Sequence, residues 1–96
     1  MAAYLVVDSN VTNPEHYEKY KLKAKTIVEK YGGEYLARGG AMSVKEDDLW
    51  SPTRMVLVRF PSSEQAETFY QSQEYQAVLG ISKASAKRTV FVLEGM

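Results

Sequence analysis

The segment Arg54-Met-Val-Leu-Val-Arg-Phe60 decides the fold that this sequence predicts. Its apolar residues fall on both alternating faces of a β-strand, and Pro61 ends it. A strand with one solvated face alternates apolar and polar residues, so this strand is expected to be covered on both faces. Helices of the same chain can cover one face. We therefore expect a second copy of the chain to cover the other.

Size and composition indicate one ordinary globular domain. The chain has 96 residues, of which 45% are hydrophobic, and residues 1–96 are treated as a single domain. Twelve basic residues balance twelve acidic ones, which argues against a nucleic-acid partner or a membrane surface. Because there is no cysteine, disulfides, a thiolate nucleophile and a Cys-type zinc site are excluded.

The first residues predict a strand and not a leader segment. Met1-Ala-Ala-Tyr-Leu-Val-Val-Asp8 contains a short apolar run with no basic residue before it, unlike a signal peptide. No segment approaches the ~20 apolar residues that a membrane span needs. The expectation is a soluble, cytoplasmic protein.

A strand and a helix are predicted next to each other in the first third of the chain. The strand covers residues 4–7, and the polar residues after it are interpreted as a connection. Pro14 suits the first position of a helix with Asn13 as N-cap, although Thr12 and Glu15 offer a capping box one residue earlier. One apolar stripe at helical spacing favours a helix that covers a sheet: Tyr17, Tyr20, Ala24, Ile27, Val28 and Tyr31.

The middle of the chain predicts a second strand with a long loop after it. Gly32-Gly33 stops the helix, and the strand covers Glu34–Arg38. Gly39-Gly40 is expected to bend or bulge the chain before residues 42–45 continue the strand. A polar loop carrying Trp50 leads to the strand quoted above, with a spacing that suits an antiparallel pair.

Two helices and a last strand complete the pattern. Ser62 is the expected N-cap of one helix, and Ser72 looks like the N-cap of a second. The second helix is predicted over residues 73–79, with Gly80 weakening it and an irregular path beyond. Residues 89–93 form the last strand, again apolar on both faces.

The predicted order is β-α-β-β-α-β with a small helix before the final strand. This is the split βαβ arrangement, an α+β, ferredoxin-like fold with a four-stranded antiparallel sheet and helices on one face. A wide apolar patch on the open face normally marks an interface. Two sheets packed face to face would make a dimeric α+β barrel with an enclosed lumen.

Several short motifs, in order along nearly the whole chain, resemble a small bacterial family. They are Ala3-Tyr-Leu-Val-Val-Asp8, Asn13-Pro-Glu-His-Tyr-Glu-Lys-Tyr20, Lys30-Tyr-Gly-Gly-Glu-Tyr-Leu-Ala-Arg-Gly-Gly40, Arg54-Met-Val-Leu-Val-Arg-Phe-Pro-Ser62, Ser72-Gln-Glu-Tyr-Gln-Ala-Val-Leu79 and Val92-Leu-Glu-Gly95. The family is the domain-of-unknown-function family numbered 1330, in the dimeric α+β barrel superfamily. The resemblance implies a ferredoxin-like protomer and a homodimer formed sheet to sheet, with no assigned activity. Gln73 departs from the family, which often has proline there; this affects the helix start only.

The wider superfamily to which the resemblance points has several activities. It includes cofactor-independent monooxygenases, muconolactone-isomerase-like enzymes and haem-dependent peroxidases, but transferring any of these would be fold-level analogy. His16, the single histidine, lies in the first turn of a predicted helix, away from the sheet. Neither a metal site nor a histidine-ligated haem is therefore expected, and no cofactor is implied.

Five residues are the candidate ligand contacts. Arg38 and Arg54 lie at the ends of apolar strands, where a guanidinium that reaches a cavity can hold a carboxylate or enolate. The alternative is that both reach water or pair with nearby glutamates. Trp50 either covers a pocket or interface or plugs its own core, and Tyr70 and Tyr75 flank a helix break.

Three functions remain open from the sequence. The first is a homodimer that binds a small aromatic or carboxylate metabolite in a sheet-lined cavity. The second is a cofactor-independent monooxygenase or isomerase, which needs a base with a shifted pKa in a dry pocket. The third is a structural dimer without a ligand, whose lumen would be filled by side chains.

Overall fold

The computed structural model of the protein describes residues 1–96 and contains seven elements. In chain order they are β1 (Ala3–Val11), α1 (Pro14–Lys30), β2 (Glu34–Arg38), β3 (Met55–Phe60), α2 (Ser63–Gln71), α3 (Gln73–Ser85) and β4 (Ala86–Glu94). The strands form one antiparallel sheet in the order β2-β3-β1-β4. This arrangement confirms the α+β, ferredoxin-like fold, with the helices on one face of a four-stranded sheet.

The two faces of the sheet differ in burial because side chains alternate along each strand. On β1, Leu5, Val7 and Ser9 are buried beneath the helices, whereas Tyr4 and Val6 are half-buried on the open face. The same alternation continues on β3 and β4. The buried face carries the hydrophobic core, and the open face has no covering layer within this chain.

β1 and β4 are longer than the sequence predicted. β1 runs on to Val11 instead of ending at residue 7, and β4 begins at Ala86 instead of residue 89. The two extensions pair with each other, Ser9 opposite Arg88 and Val11 opposite Ala86. Polar composition suggested a connection here, but backbone pairing satisfies the peptide groups whatever the side chains are.

Residues 42–45 do not continue β2, so that prediction was wrong. Gly39 adopts φ +70°, a left-handed conformation that turns the chain out of the strand. Its amide still donates to the Met55 carbonyl at 2.8 Å. Residues 41–51 are exposed and carry no strand, which makes the β2–β3 connection a long surface loop.

The predicted N-caps Asn13, Ser62 and Ser72 are confirmed by side chains that accept from backbone amides. The last helix was predicted too short, because α3 passes through Gly80 and ends at Ser85. Its continuation buries Ser82 and Ser85, whose hydroxyls donate to carbonyls within the helix. Packing of α3 on α1 therefore outweighs the roughly 1 kcal/mol penalty of a helical glycine.

The core is built around a row of aromatic rings under the helices. Phe69 lies 5.3 Å from Phe60 and 4.5 Å from Tyr75 between ring centroids. Tyr17 and Tyr20 are buried, as the stripe on α1 predicted. None of the helices has both the length and the apolar character needed to cross a membrane.

Candidate ligand-binding site

A cavity of about 40 Å³ lies between the helices and the covered face of the sheet. Eleven of its fifteen lining residues are hydrophobic. The other four are all basic, and none is acidic: Lys21, Arg38, Arg54 and Arg88. An apolar cavity whose charges all have one sign is the central feature of this molecule.

Arg54 and Arg88 lie on opposite sides of Ser9 in the sheet. Ser9 pairs with Arg88 on β4, and its amide donates to the Arg54 carbonyl at 3.0 Å. Arg54 comes two residues before the buried Val56, and Arg88 comes two residues after the buried Ala86. Residues two apart on a strand lie on the same face of the sheet. Strand alternation therefore turns both side chains toward the helix layer.

Arg88 binds two buried tyrosine hydroxyls. Its Nη1 donates to Tyr20 Oη at 2.9 Å, and its Nη2 donates to Tyr75 Oη at 3.0 Å. The two hydroxyl oxygens lie 2.7 Å apart and share one hydrogen bond. Because each hydroxyl has one hydrogen, the pair retains one further hydrogen that it can donate to a ligand.

The hydroxyl of Tyr20 remains protonated at physiological pH. Burial raises the pKa of Tyr20 well above its ordinary value of 10.0, and the neighbouring Tyr75 raises it further. The guanidinium of Arg88 opposes this shift without reversing it. Tyr20 is therefore a hydrogen-bond donor or acceptor in this site and not an anion.

Arg38 is held beside the cavity by the helix and by an aromatic ring. Its Nη2 donates to the carbonyl of Lys21 at 3.0 Å, and its guanidinium lies 4.7 Å from the centre of the Tyr35 ring. Burial raises the pKa of Tyr35, and the charge of Arg38 partly opposes that shift. Both contacts orient the guanidinium without neutralising it.

Arg54 lies directly against the backbone of Gly39. A Cβ added at Gly39 would stand 2.9 Å from both Nε and Nη2 of Arg54, closer than real Cβ contacts allow. The backbone of Arg54 is fixed separately, because its amide donates to Asp8 Oδ1 at 3.1 Å. Because glycine has no side chain, the Arg54 guanidinium can lie against the backbone at Gly39.

Asp8 ties the end of the long loop to β1. Its carboxylate accepts from the Thr53 amide at 2.9 Å, from Arg54 as above, and from Trp50 Nε1 at 2.9 Å. Burial raises the pKa of Asp8, but these hydrogen bonds outweigh it and hold the pKa below the usual 3.8. The carboxylate thus holds the strand start that carries Arg54.

None of the cavity arginines forms a salt bridge. The three salt bridges of the protein join Lys21 to Glu18 at 3.1 Å, Lys25 to Glu29 at 3.6 Å and Lys30 to Glu74 at 2.7 Å. The alternative that Arg38 and Arg54 pair with glutamates is therefore not what the structure shows. Arg38, Arg54 and Arg88 carry charges that no carboxylate of the chain compensates.

The structure brings together three of the five predicted contact residues. Arg38, Arg54 and Tyr75 line the cavity. Trp50 does not, because it lies beside the open face in a groove with Met55, Thr89 and Phe91, where the residue is 51% exposed. Tyr70 packs 5.2 Å from Tyr75 but lines a surface groove, which Arg88 borders from its other side, and not the cavity itself.

Sequence reasoning missed Arg88 and treated Tyr20 as core only. Arg88 was placed before the last strand, so its side chain had no predicted direction. The signal that could have found it is the alternation Ala86, Arg88, Val90, Val92, in which the arginine shares the parity of apolar residues. Tyr20 is indeed buried, but its hydroxyl also faces the arginine.

The sequence as a whole matches a known family. A family model described as domain of unknown function (DUF1330) matches residues 2–96. The chain belongs to the DUF1330 family. No curated protein matches it closely enough to count as a relative.

Solved structures resemble this DUF1330 chain in fold at low sequence identity. A protein of unknown function from Rhodopseudomonas palustris has a TM-score of 0.78 at 11% identity, over 99% of this chain and 82% of the other. SnoaB, a cofactor-independent oxygenase from Streptomyces nogalater, has a TM-score of 0.70 at 6% identity, over 99% and 93%. A dimeric ferredoxin-like protein of unknown function from Thermobifida fusca has a TM-score of 0.68 at 11% identity, over 99% and 92%. At these identities the similarity shows the fold alone.

Proposed function

We propose that this protein is a homodimer that binds a small carboxylate metabolite in the cavity between its helices and its sheet. The observation that carries the proposal is the set of three arginines, Arg38, Arg54 and Arg88, which line one largely apolar cavity without a carboxylate partner. All three arginines are half-buried. Partly removing a charge from water without a counter-charge is unfavourable, so an anionic ligand would relieve a cost built into the free protein.

The polar side chains of the cavity favour a carboxylate over a neutral ligand. Guanidinium groups donate and cannot accept, and the hydroxyl pair of Tyr20 and Tyr75 has a hydrogen left to donate. A carboxylate is an acceptor with two oxygens, and it pairs with guanidinium groups bidentately. A ligand ammonium would find no anionic acceptor among these side chains and would be repelled by the guanidinium groups.

The size of the cavity favours a short aliphatic acid. A volume of about 40 Å³ accommodates about three water molecules, given that each needs roughly 10–15 Å³ of such space. Any organic acid is larger than this and requires the half-buried arginine side chains to move outward. A short flexible chain requires a smaller displacement than a rigid aromatic ring. Of the two ligand classes that the sequence suggested, the carboxylate is therefore the better supported.

The enzymatic alternative has less support from the site. A cofactor-independent monooxygenase or isomerase needs a group that takes up a proton from its substrate. The ionisable side chains that line the cavity are tyrosines, arginines and one lysine, and the only histidine, His16, is not among them. What favours the alternative is the fold shared with SnoaB, and a shared fold does not transfer an activity.

The homodimer is supported by the open face of the sheet. Val6 lies opposite Leu57 on one neighbouring strand and opposite Phe91 on the other, so these apolar side chains form one continuous patch. Phe91 and Leu93 are 41% and 56% exposed in the single chain. A patch of this kind is typical of an interface, and the Thermobifida fusca protein of the same fold is described as dimeric.

Thermal denaturation in the presence of small acids tests the binding proposal. We expect butyrate or a related acid to raise the melting temperature of the wild-type protein, because a ligand of the folded state stabilises it. Butyramide, which has the same shape without the charge, is the matched ligand control. Equal shifts with acid and amide, or no shift with any acid, would contradict the proposal.

A further inference from the structure

We propose that the ligand carries two carboxylates and is a short dicarboxylate bound between two separate cationic poles of the cavity. This inference rests on the proposed function and names the substrate class of the same site. The first pole is formed by Arg38 and Arg54, and the second by Arg88 with the hydroxyls of Tyr20 and Tyr75.

The first pole lies at the β2 edge of the sheet. Arg38 is the last residue of β2. Arg54 immediately precedes β3, and its guanidinium leans onto the backbone of Gly39, directly after β2. One amino group of Arg38 is occupied by the Lys21 carbonyl, whereas its remaining donors and the Arg54 side chain have no partner within the protein. Both guanidinium groups line the cavity beside β2, where two such groups can hold one carboxylate.

The second pole lies at the opposite edge. Arg88 is on β4, which is the other edge strand in the order β2-β3-β1-β4. Its two terminal nitrogens each use a hydrogen on a tyrosine oxygen, and each keeps a second hydrogen. The Tyr20–Tyr75 pair contributes one more donor, so this pole can hold a carboxylate with a hydroxyl and a guanidinium.

The two poles are separate because Ser9 of β1 lies between Arg54 and Arg88. Two strand spacings separate the backbones of the arginines, which is about 10 Å in a β-sheet. The leaning of Arg54 toward β2 takes its charge further from Arg88. One carboxylate group cannot engage both poles with bidentate geometry, whereas two carboxylates on one short chain can.

The wall between the poles suits a hydrocarbon spacer. The central strands β1 and β3 contribute only apolar residues to the lining: Leu5, Val7, Val56 and Val58. Methylene groups can lie against this wall without leaving a polar group unpaired. Lys21 is already paired with Glu18, so three uncompensated guanidinium groups remain, which is more charge than one carboxylate can neutralise.

Isothermal titration of the wild-type protein with chain-matched acids tests the proposal. The probes are malonate, succinate and glutarate against propionate, butyrate and valerate, with inorganic phosphate as a doubly charged ligand that has a single centre. We expect at least one dicarboxylate to bind ten-fold or more tightly than its matched monocarboxylate, because a second charge-assisted pair is worth about that factor. Phosphate is expected to bind no better than the monocarboxylates.

Two variants assign the poles. Arg54→Met and Arg88→Met are each expected to reduce dicarboxylate affinity to the level of the monocarboxylate, since each leaves one pole incomplete. Arg59→Met is the matched control, because Arg59 is an exposed arginine on the same strand as Val58 but outside the cavity lining. Loss of binding in Arg59→Met as well would contradict the assignment.

The outcomes separate this inference from the proposed function. If monocarboxylates bind and no dicarboxylate gains over its partner, the two-pole inference is wrong and the proposed function stands. If no acid binds, both are wrong. If phosphate matches the best dicarboxylate, charge alone decides affinity and the separation of the poles is contradicted. The wild-type series decides the question even if a variant does not fold.

Discussion

Arg88 and Tyr20 are joined by two contacts that link β4 to α1. Nη1 of Arg88 donates to Tyr20 Oη at 2.9 Å, and the guanidinium carbon lies 5.0 Å from the centre of the same ring. The residues are 68 positions apart in the sequence. Their contact fixes a positive charge inside the fold with polar but uncharged partners, which is the arrangement expected of a site that awaits an anion.

Arg88→Met should reduce succinate affinity to that of butyrate with little loss of stability. In the free protein the two lost hydrogen bonds, about 1 kcal/mol each, are offset by the removal of an uncompensated charge. We expect the free energy of unfolding without ligand to fall by at most about 1 kcal/mol. Urea denaturation with and without succinate measures both effects; a fall above about 3 kcal/mol would mean that the charge is already well compensated.

Tyr75→Phe should weaken the second pole while leaving Arg88 in place. The change removes one oxygen from a buried hydrogen-bonded trio, so a loss of about 1–2 kcal/mol in stability is expected. Tyr70→Phe is the control, because the Tyr70 ring lies 5.2 Å from Tyr75 but its hydroxyl makes no hydrogen bond within the protein. Thermal denaturation should separate the two variants, and equal melting temperatures would contradict the role of the trio.

Gly39→Ala should lower both stability and carboxylate affinity. A left-handed residue other than glycine is strained by about 1–3 kcal/mol, and the added Cβ would displace the Arg54 guanidinium. Gly40→Ala is the neighbouring control, because its φ is not positive and a Cβ there meets no atom within 4 Å. Denaturation and titration of both variants give the comparison; similar effects at the two glycines would contradict the proposed positioning of Arg54.

Asp8→Asn should lower stability at neutral pH and change its acid dependence. The pKa of Asp8 is lower in the folded protein than its ordinary 3.8, so the carboxylate contributes stability above pH 3.8. That contribution disappears as the pH falls through the folded pKa. We expect the variant to lose about 1–2 kcal/mol at pH 7 and to lack this part of the acid dependence.

Asp48→Asn provides the control for this pH series, since Asp48 lies in the exposed loop whose end Asp8 holds, and it makes no side-chain hydrogen bond within the protein. The stability of all three proteins is measured by denaturation from pH 7 down to pH 3. Parallel curves for Asp8→Asn and the wild type would show that the contacts to Thr53 and Trp50 do not depend on charge.

Phe91→Glu should convert a dimer into monomers. A charge in the middle of the open-face patch would have to be buried between two sheets, which is strongly unfavourable. Light scattering should give about twice 10.8 kDa for the wild type and a single-chain mass for the variant. Leu22→Glu, at an exposed position on α1, should remain dimeric. A wild-type protein that is monomeric at micromolar concentration would contradict the homodimer.

The face of the sheet on which some site residues lie was predictable, because side chains alternate between the two faces along a strand. Arg54 precedes the strongest apolar run in the chain, so its face follows directly from the alternation at Val56 and Val58. The same alternation applies to Arg88, but the polar residues around it led to a predicted strand that begins only at residue 89 instead of Ala86. Gly39 was recognised as a bend, whereas its contact with Arg54 depends on a left-handed conformation that composition does not specify.

The sequence by itself determined the order of the elements, the helix caps and the presence of two apolar faces on one sheet. These follow from local periodicity and from hydrogen bonds between near neighbours in the chain. Only the tertiary structure decided that Arg38, Arg54 and Arg88 share a cavity and that Trp50 lies outside it. Those facts depend on strand register and on the packing of α1 and α3, which bring together residues far apart in the chain.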